Sequence, residues 1–290
     1  MNRARVLWLL ALVALTGSCQ ADDPPVERVS CEVAARPAGL AIGGTGAGLA
    51  MLQRLARQWE QGSPGGAPVV VVQAIGSAGG LKALREGQLD VAILARPLKE
   101  GERDGLIATP IAATPLVFAT RKPAPVRTVT SEQLIRWYTS PAARWPDSAG
   151  TRMTLLFREA GDGGLRAIKQ AHPALGEALD HEPRSSGLGV LLQTDQQMRD
   201  ALLEIPGAIG WIDLGTLSLE GLPLEPLVLD GVAPTTQALS TGRYKLALSL
   251  WLVRRADAPP EVERLVAFAS SPAMRAVWAA NGYILDYKEW

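Results

Sequence analysis

The stretch "VVVVQAIGSAGGLKALREGQLDVAILARPLK", residues 69–99, decides the fold. A run of β-branched residues, Val69–Val72, reads as a buried strand. It stops at the small-residue loop Gly76-Ser77-Ala78-Gly79-Gly80. Leu81 and Leu84 continue at helical spacing. A second apolar run, Leu89–Leu94, then ends at Ala95-Arg96-Pro97. The order strand, glycine loop, helix, strand is the unit of a parallel α/β sheet.

The same order appears on either side. Upstream, Leu40–Ile42 reads as a short buried strand and Gly43–Gly48 as a loop. Leu49, Leu52, Leu55, Ala56 and Trp59 then recur at helical spacing. Downstream, Thr114–Lys122 reads as an apolar strand ending in charge. Thr130-x-x-Gln133 and Thr194-x-x-Gln197 are capping-box patterns that open helices. Thr154–Phe157 is a strand that enters the glycine-rich loop "REAGDGG" (158–164), with a helix expected from about Leu165. Ile209–Ile212 and 243–253 read as further strands. The C-terminal segment reads as two helices split at Ser271-Pro272, with Asn281-Gly282 closing the second. The two strand–loop–helix clusters, 40–98 and 154–172, point to two α/β lobes. We place lobe 1 at 39–120 and 243–290, and lobe 2 at 121–242.

The N-terminus has a separate purpose. Arg3 and Arg5 precede an apolar run of about ten residues, well short of the ~20 a bilayer span needs, and Thr16-Gly17-Ser18-Cys19 follows. This is the layout of a signal peptide, residues 1–18. The small residues before Cys19 resemble a lipobox, which implies a lipid anchor on Cys19 and a tether over 19–38. Leu15 stands one place too far upstream for a regular lipobox, so a plain secreted protein is the other reading. Cys31 is the only other cysteine, so a lipidated Cys19 leaves it without a disulfide partner, and the count excludes a zinc–cysteine site.

Composition excludes several functions. With 29 basic and 29 acidic residues the chain has no net charge, so nothing favours nucleic acid. No G-x-S-x-G, H-E-x-x-H or Walker A pattern is present. The two histidines, His172 and His181, read as surface or helix-end residues. We expect no enzyme, no metal and no cofactor. Trp59, Trp137, Trp211, Trp251 and Trp278 fall in apolar patterns and read as core.

The chemistry lies in three loops, 43–48, 76–80 and 158–164. Each would expose backbone N–H groups at a helix N-terminus, where the helix dipole favours an anion. Thr45 and Ser77 add hydroxyls, or simply cap their helices. Arg158 offers a guanidinium fork. Asp162 reads equally well as an ordinary cap for the helix that follows.

These motifs, "GSAGG" (76–80), "LDVAILARPL" (89–98), "REAGDGG" (158–164) and "IPGAIGW" (205–211), resemble in order and distance those of the phosphate-binding proteins of ABC transporters. The resemblance covers about residues 40–285. It implies a type II periplasmic-binding-protein fold, with a ligand cleft between two α/β lobes. It also implies an extracytoplasmic monomer that hands phosphate or a similar oxyanion to an ABC transporter permease, and a ligand set of Thr45, Gly46, Ser77, Ala78, Gly79, Arg96, Arg158, Asp162 and Gly163. The chain departs from the family at two places. Ala95 stands where phosphate binders carry Asp or Ser, and Asp162-Gly163-Gly164 replaces Ser-Gly-Thr. Asp162 then either takes over as acceptor for the ligand's proton or repels dianions. In the second case the chain binds another anion, or serves as a sensor or scaffold for a membrane protein.

Overall fold

The computed structural model describes residues 38–285 and 287, apart from 63–65, 141, 148 and 181–188. The signal-peptide, Cys19 and Cys31 readings and His181 lie outside these residues.

Eight strands run in the order β2 (Val69–Val71), β1 (Leu40–Gly44), β3 (Val91–Leu94), β11 (Ala247–Arg255), β4 (Leu106–Arg121), β8 (Ala208–Asp213), β6 (Thr154–Arg158) and β7 (Gly189–Leu192), and β9 (Leu224–Pro226) pairs with β4, while β5 (Thr128–Val129) and β10 (Val228–Leu229) pair with each other. The outer pairs, β1 with β2 and β3 on one side and β6 with β7 and β8 on the other, are parallel. The middle pairings, β11 with β3 and β4, and β4 with β8, are antiparallel. Two parallel α/β lobes are thus joined through antiparallel strands, the architecture of a type II periplasmic-binding-protein fold.

Each lobe has its own core. One gathers Ile42, Met51, Leu55, Ile93, Leu250, Leu265 and Trp278. The other gathers Val117, Phe118, Tyr138, Phe157, Leu165 and Trp211, with edge-to-face contacts linking Phe118, Tyr138 and Phe157. Trp59, Trp211 and Trp278 are buried, and Trp137 and Trp251 are half-buried.

Strand β4 is longer than the sequence suggested. It begins at Leu106, not Thr114, and its sixteen residues run through both cores. Pro110 and Pro115 mask it, because a proline within an apolar run argues against a strand. The structure accommodates each where its missing N–H does no harm. Pro110 faces Trp251 beside a register shift in β11. Pro115 is the last residue of β4 paired with β11, and at Leu116 the pairing with β8 begins.

The helices α1 (Leu49–Gly62), α2 (Gly76–Arg85), α3 (Ser131–Tyr138) and α4 (Gly163–Ala171) start where the glycine loops and caps place them. The capping box at Thr130 is formed, with Gln133 N–H donating to the Thr130 hydroxyl at 3.1 Å and Thr130 N–H to Gln133 Oε1 at 2.8 Å. The chain continues through α5 (Pro173–Leu179), α6 (Asp195–Glu204), α7 (Leu214–Leu219), α8 (Thr236–Ser240), α9 (Pro260–Ala269) and α10 (Pro272–Ala280). Ser271 caps α10.

Gly44, at the end of β1, has φ of +140°, and a Cβ there would lie 2.1 Å from the Ile93 carbonyl oxygen. Gly80 of α2 packs so closely on the Gly44 backbone that its own Cβ would meet Gly44 Cα at 2.8 Å. Gly44→Ala is expected to cost about 2–3 kcal/mol, from backbone strain and overpacking together. A urea midpoint equal to that of wild type would show that the end of β1 relaxes instead.

Candidate functional site

Four helix starts meet at one place. Behind β1, Thr45 leads through a tight turn, Gly46–Gly48, into α1. Behind β6, Asp162 caps α4: its Oδ1 accepts from Leu165 N–H at 2.7 Å and from Trp211 Nε1 at 3.1 Å. Thr194 caps α6 and puts Asp195 in its first turn. Asp213, the last residue of β8, caps α7 by accepting from Thr216 N–H at 2.7 Å. Thr45, Gly46, Asp162, Gly163, Asp195 and Asp213 all line one cavity of about 30 Å³. That is space for a water molecule or two.

The lobes meet directly around it. Gln196 Nε2 donates to the Gly46 carbonyl at 3.2 Å, and the Thr216 hydroxyl to the Ala47 carbonyl at 3.4 Å. Any side chain at Gly46 would collide with α6, since its Cβ would lie 2.5 Å from Asp195 Oδ2. Ala95 packs against Gly163 in the same way, 3.2 Å from where a Cβ would stand.

Arg158 is buried behind the cavity wall, its side chain 5% exposed. Nη1 donates to Asp195 Oδ1 at 2.7 Å, Nη2 lies 3.1 Å from Asp162 Oδ2, and Nη2 also donates to the Gln193 carbonyl at 3.3 Å. Burial pulls the guanidinium pKa down, but the two carboxylates outweigh it and hold it above its ordinary value. Burial pushes the Asp162 carboxyl up by more than Arg158 and the Leu165 and Trp211 donors pull it down. Burial also raises Asp213 to about 7, against its hydrogen bonds from Thr216. Arg199, which also lines the cavity, is paired to Asp200 at 2.8 Å and Glu220 at 3.1 Å.

The lining therefore holds the carboxyls of Asp162, Asp195, Asp213 and Glu220 against the single guanidinium of Arg199. At α4 and α7 the position an anion would take at a helix N-terminus is filled by a carboxyl of the chain itself, and at α6 by the Thr194 hydroxyl. Among the described residues no group of His, Cys, Asp or Glu side chains is arranged to hold a metal ion. No helix among them is long and apolar enough to cross a membrane.

The residues singled out in the sequence fall into three groups. Thr45, Gly46, Asp162 and Gly163 meet at the cavity, with Arg158 one layer behind. Ser77, Ala78 and Gly79 form the first turn of α2, off the cavity lining, and Ser77 Oγ accepts from Ala95 N–H at 3.1 Å. Arg96 faces a different space and is clamped by Glu102 at 2.5 and 2.8 Å. Sequence reasoning missed Asp195, Gln196, Asp213 and Thr216. The capping box at Thr194 marked the first pair, and an Asp two residues after Trp211 at a strand end marked the second.

A family profile described as a PBP superfamily domain matches residues 31–273. No curated protein matches the chain by sequence. Among solved structures, a Clostridium perfringens protein with bound phosphate, assigned to substrate binding for a phosphate ABC transporter, is similar at 20% identity and TM-score 0.70, over 84% of this chain and 98% of that one. An ABC-type phosphate transport receptor from Vibrio cholerae is similar at 22% identity and TM-score 0.60, over 85% and 99%. The periplasmic molybdate-binding protein of Azotobacter vinelandii is similar at 13% identity and TM-score 0.60, over 86% and 100%. At these identities the likeness speaks for the fold. Two lobes joined through antiparallel strands, a cavity where helix N-termini converge between them, and a profile match over most of the chain agree: the protein belongs to the PBP superfamily.

Proposed function

We propose that the protein is the extracytoplasmic receptor of an ABC importer. It binds a tetrahedral oxyanion, phosphate first among them, between its lobes and delivers it to a membrane permease while anchored through Cys19. The observation that carries this reading is the convergence of four helix starts between the lobes, with the buried Arg158 behind two of them. The similarity to phosphate- and molybdate-binding folds supports it.

The carboxyls around the cavity set the terms. A dianion beside ionised Asp162, Asp195 and Asp213 would be repelled. A protonated Asp213 instead donates to an oxyanion, and an ionised one accepts the proton of hydrogen phosphate. Sulfate carries no such proton. Because the closed cavity holds little more than a water molecule, the lobes part to admit the ligand.

Titration of the refolded protein tests this. With the Asp213 pKa at about 7, the protonated fraction falls about tenfold between pH 6 and pH 8. Phosphate should therefore bind about tenfold more tightly at pH 6, and sulfate should give no heat at pH 8, where Asp213 is ionised and can only accept. Equal affinity for sulfate at pH 8, or no response to phosphate at both pH values, would overturn the reading.

One observation favours a second reading. Arg158 and two helix starts are already satisfied by the chain's own carboxyls. A domain closed in this way without ligand would serve as a sensor or scaffold for a membrane protein. Silence toward both anions in a folded sample is the result it expects.

A further inference from the structure

Ala95, Gly163 and Leu248 form a thin wall between two spaces. On one side is the closed cavity. On the other is a groove of about 960 Å³, at the upper end of the range of small-molecule sites. One side is the segment after β3, Arg96 to Lys99. The facing side is α4, and the stretch 241–249 leading into β11 closes the third.

Four cations, Arg96, Lys99, Arg166 and Lys245, line the groove, with no carboxylate among the described lining residues. Arg96 is committed to Glu102. The Arg166 guanidinium makes no hydrogen bond or ion pair among the described residues. Three effects oppose a cation at its position. It lies in the second turn of α4, near the positive end of that helix. It is half-buried and pays for lost hydration. Arg96 adds a like charge. Burial and Arg96 together hold its pKa below the ordinary value, and Asp162 offsets only part of this. The side chain nonetheless folds back along the helix, its Nη2 3.5 Å from where a Cβ on Gly163 would stand.

An anion supplied from solution would relieve all three effects. Lys99 and Lys245 add two more positive charges, which suits a dianionic head better than a carboxylate. Pro97, Ala167 and Ala171 offer an apolar surface beside it. We propose that this groove is a second ligand site, taking a phosphate monoester whose head meets Arg166 and whose apolar body lies along Pro97, Ala167 and Ala171.

The probe is phenyl phosphate, titrated into the full-length protein in detergent with the cavity first exposed to excess inorganic phosphate. Phenyl phosphate should still bind, and less tightly as salt is raised. Arg166→Ala and, on the exposed opposite wall, Lys245→Glu should each weaken it at least tenfold, while inorganic phosphate titrates as in wild type. Because Lys245 is exposed, its variant remains informative if Arg166→Ala folds poorly. No binding of phenyl phosphate, its complete displacement by inorganic phosphate, or wild-type affinity in both variants would overturn the proposal. If inorganic phosphate alone fails to bind, the reading of the closed cavity fails, and the groove is still judged by the phenyl phosphate results.

Discussion

Replacing Arg158 with methionine is expected to cost about 3–5 kcal/mol of folding stability, the range for removing one partner of a buried ion pair. The size follows from what remains behind. Asp162 and Asp195 both lean on this guanidinium, and the Asp162 side chain is only 4% exposed. Without Arg158, Asp162 would sit ionised in a buried site or take up a proton. The loss should thus be largest above neutral pH and shrink toward pH 5, where protonation removes the stranded charge. The same substitution should weaken oxyanion binding by more than tenfold, about 1.4 kcal/mol. Chemical unfolding of both proteins at pH 5 and pH 8 measures the first effect. A loss under 1 kcal/mol at pH 8 would mean that water reaches the carboxylates and solvates them.

Asp213→Asn should act in the opposite direction. The Asp213 pKa rises from 3.8 in the unfolded chain to about 7 in the fold. The folded state therefore holds a proton that the unfolded state has released. Stability from this group is complete below about pH 4, falls as pH rises from 4 to 7, and is flat above. The whole shift is worth about 4 kcal/mol. Asparagine keeps the oxygen that accepts from Thr216 and cannot ionise. The variant should lose less stability than wild type between pH 4.5 and pH 8, and should be the more stable of the two at pH 8. Parallel pH profiles would show that the Asp213 carboxyl is ionised in the fold at no cost.

The sequence carried the local structure further than the site. The glycine loops, the capping boxes at Thr130 and Thr194 and the break at Ser271-Pro272 each rest on a few neighbouring residues, so they read directly. Strand β4 did not, because Pro110 and Pro115 are tolerated only through a register shift and a change of partner, which depend on β11 and β8. The cavity was half legible. Thr45, Gly46, Asp162 and Gly163 came from loops whose composition announces them. Asp195 and Asp213 are ordinary caps or first-turn acids until the fold brings them to one point, and nothing local says that they line the same cavity. Ser77 carried a motif yet lies off the cavity, in the first turn of α2, where its hydroxyl accepts from the Ala95 backbone.

Strand β11 lies between β3 and β4, though some 150 residues separate it from the former in the chain. Until it arrives, β3 has an open edge and β4 has half its length unpaired. The core around Ile42 and Ile93 also lacks Leu250, Leu265 and Trp278. The first α/β units to be synthesised therefore cannot close their own sheet. Pairing at so great a sequence separation is entropically slow. The last forty or so residues act as a kinetic lock, and a chain lacking them keeps the exposed edge of β3 as a surface for aggregation.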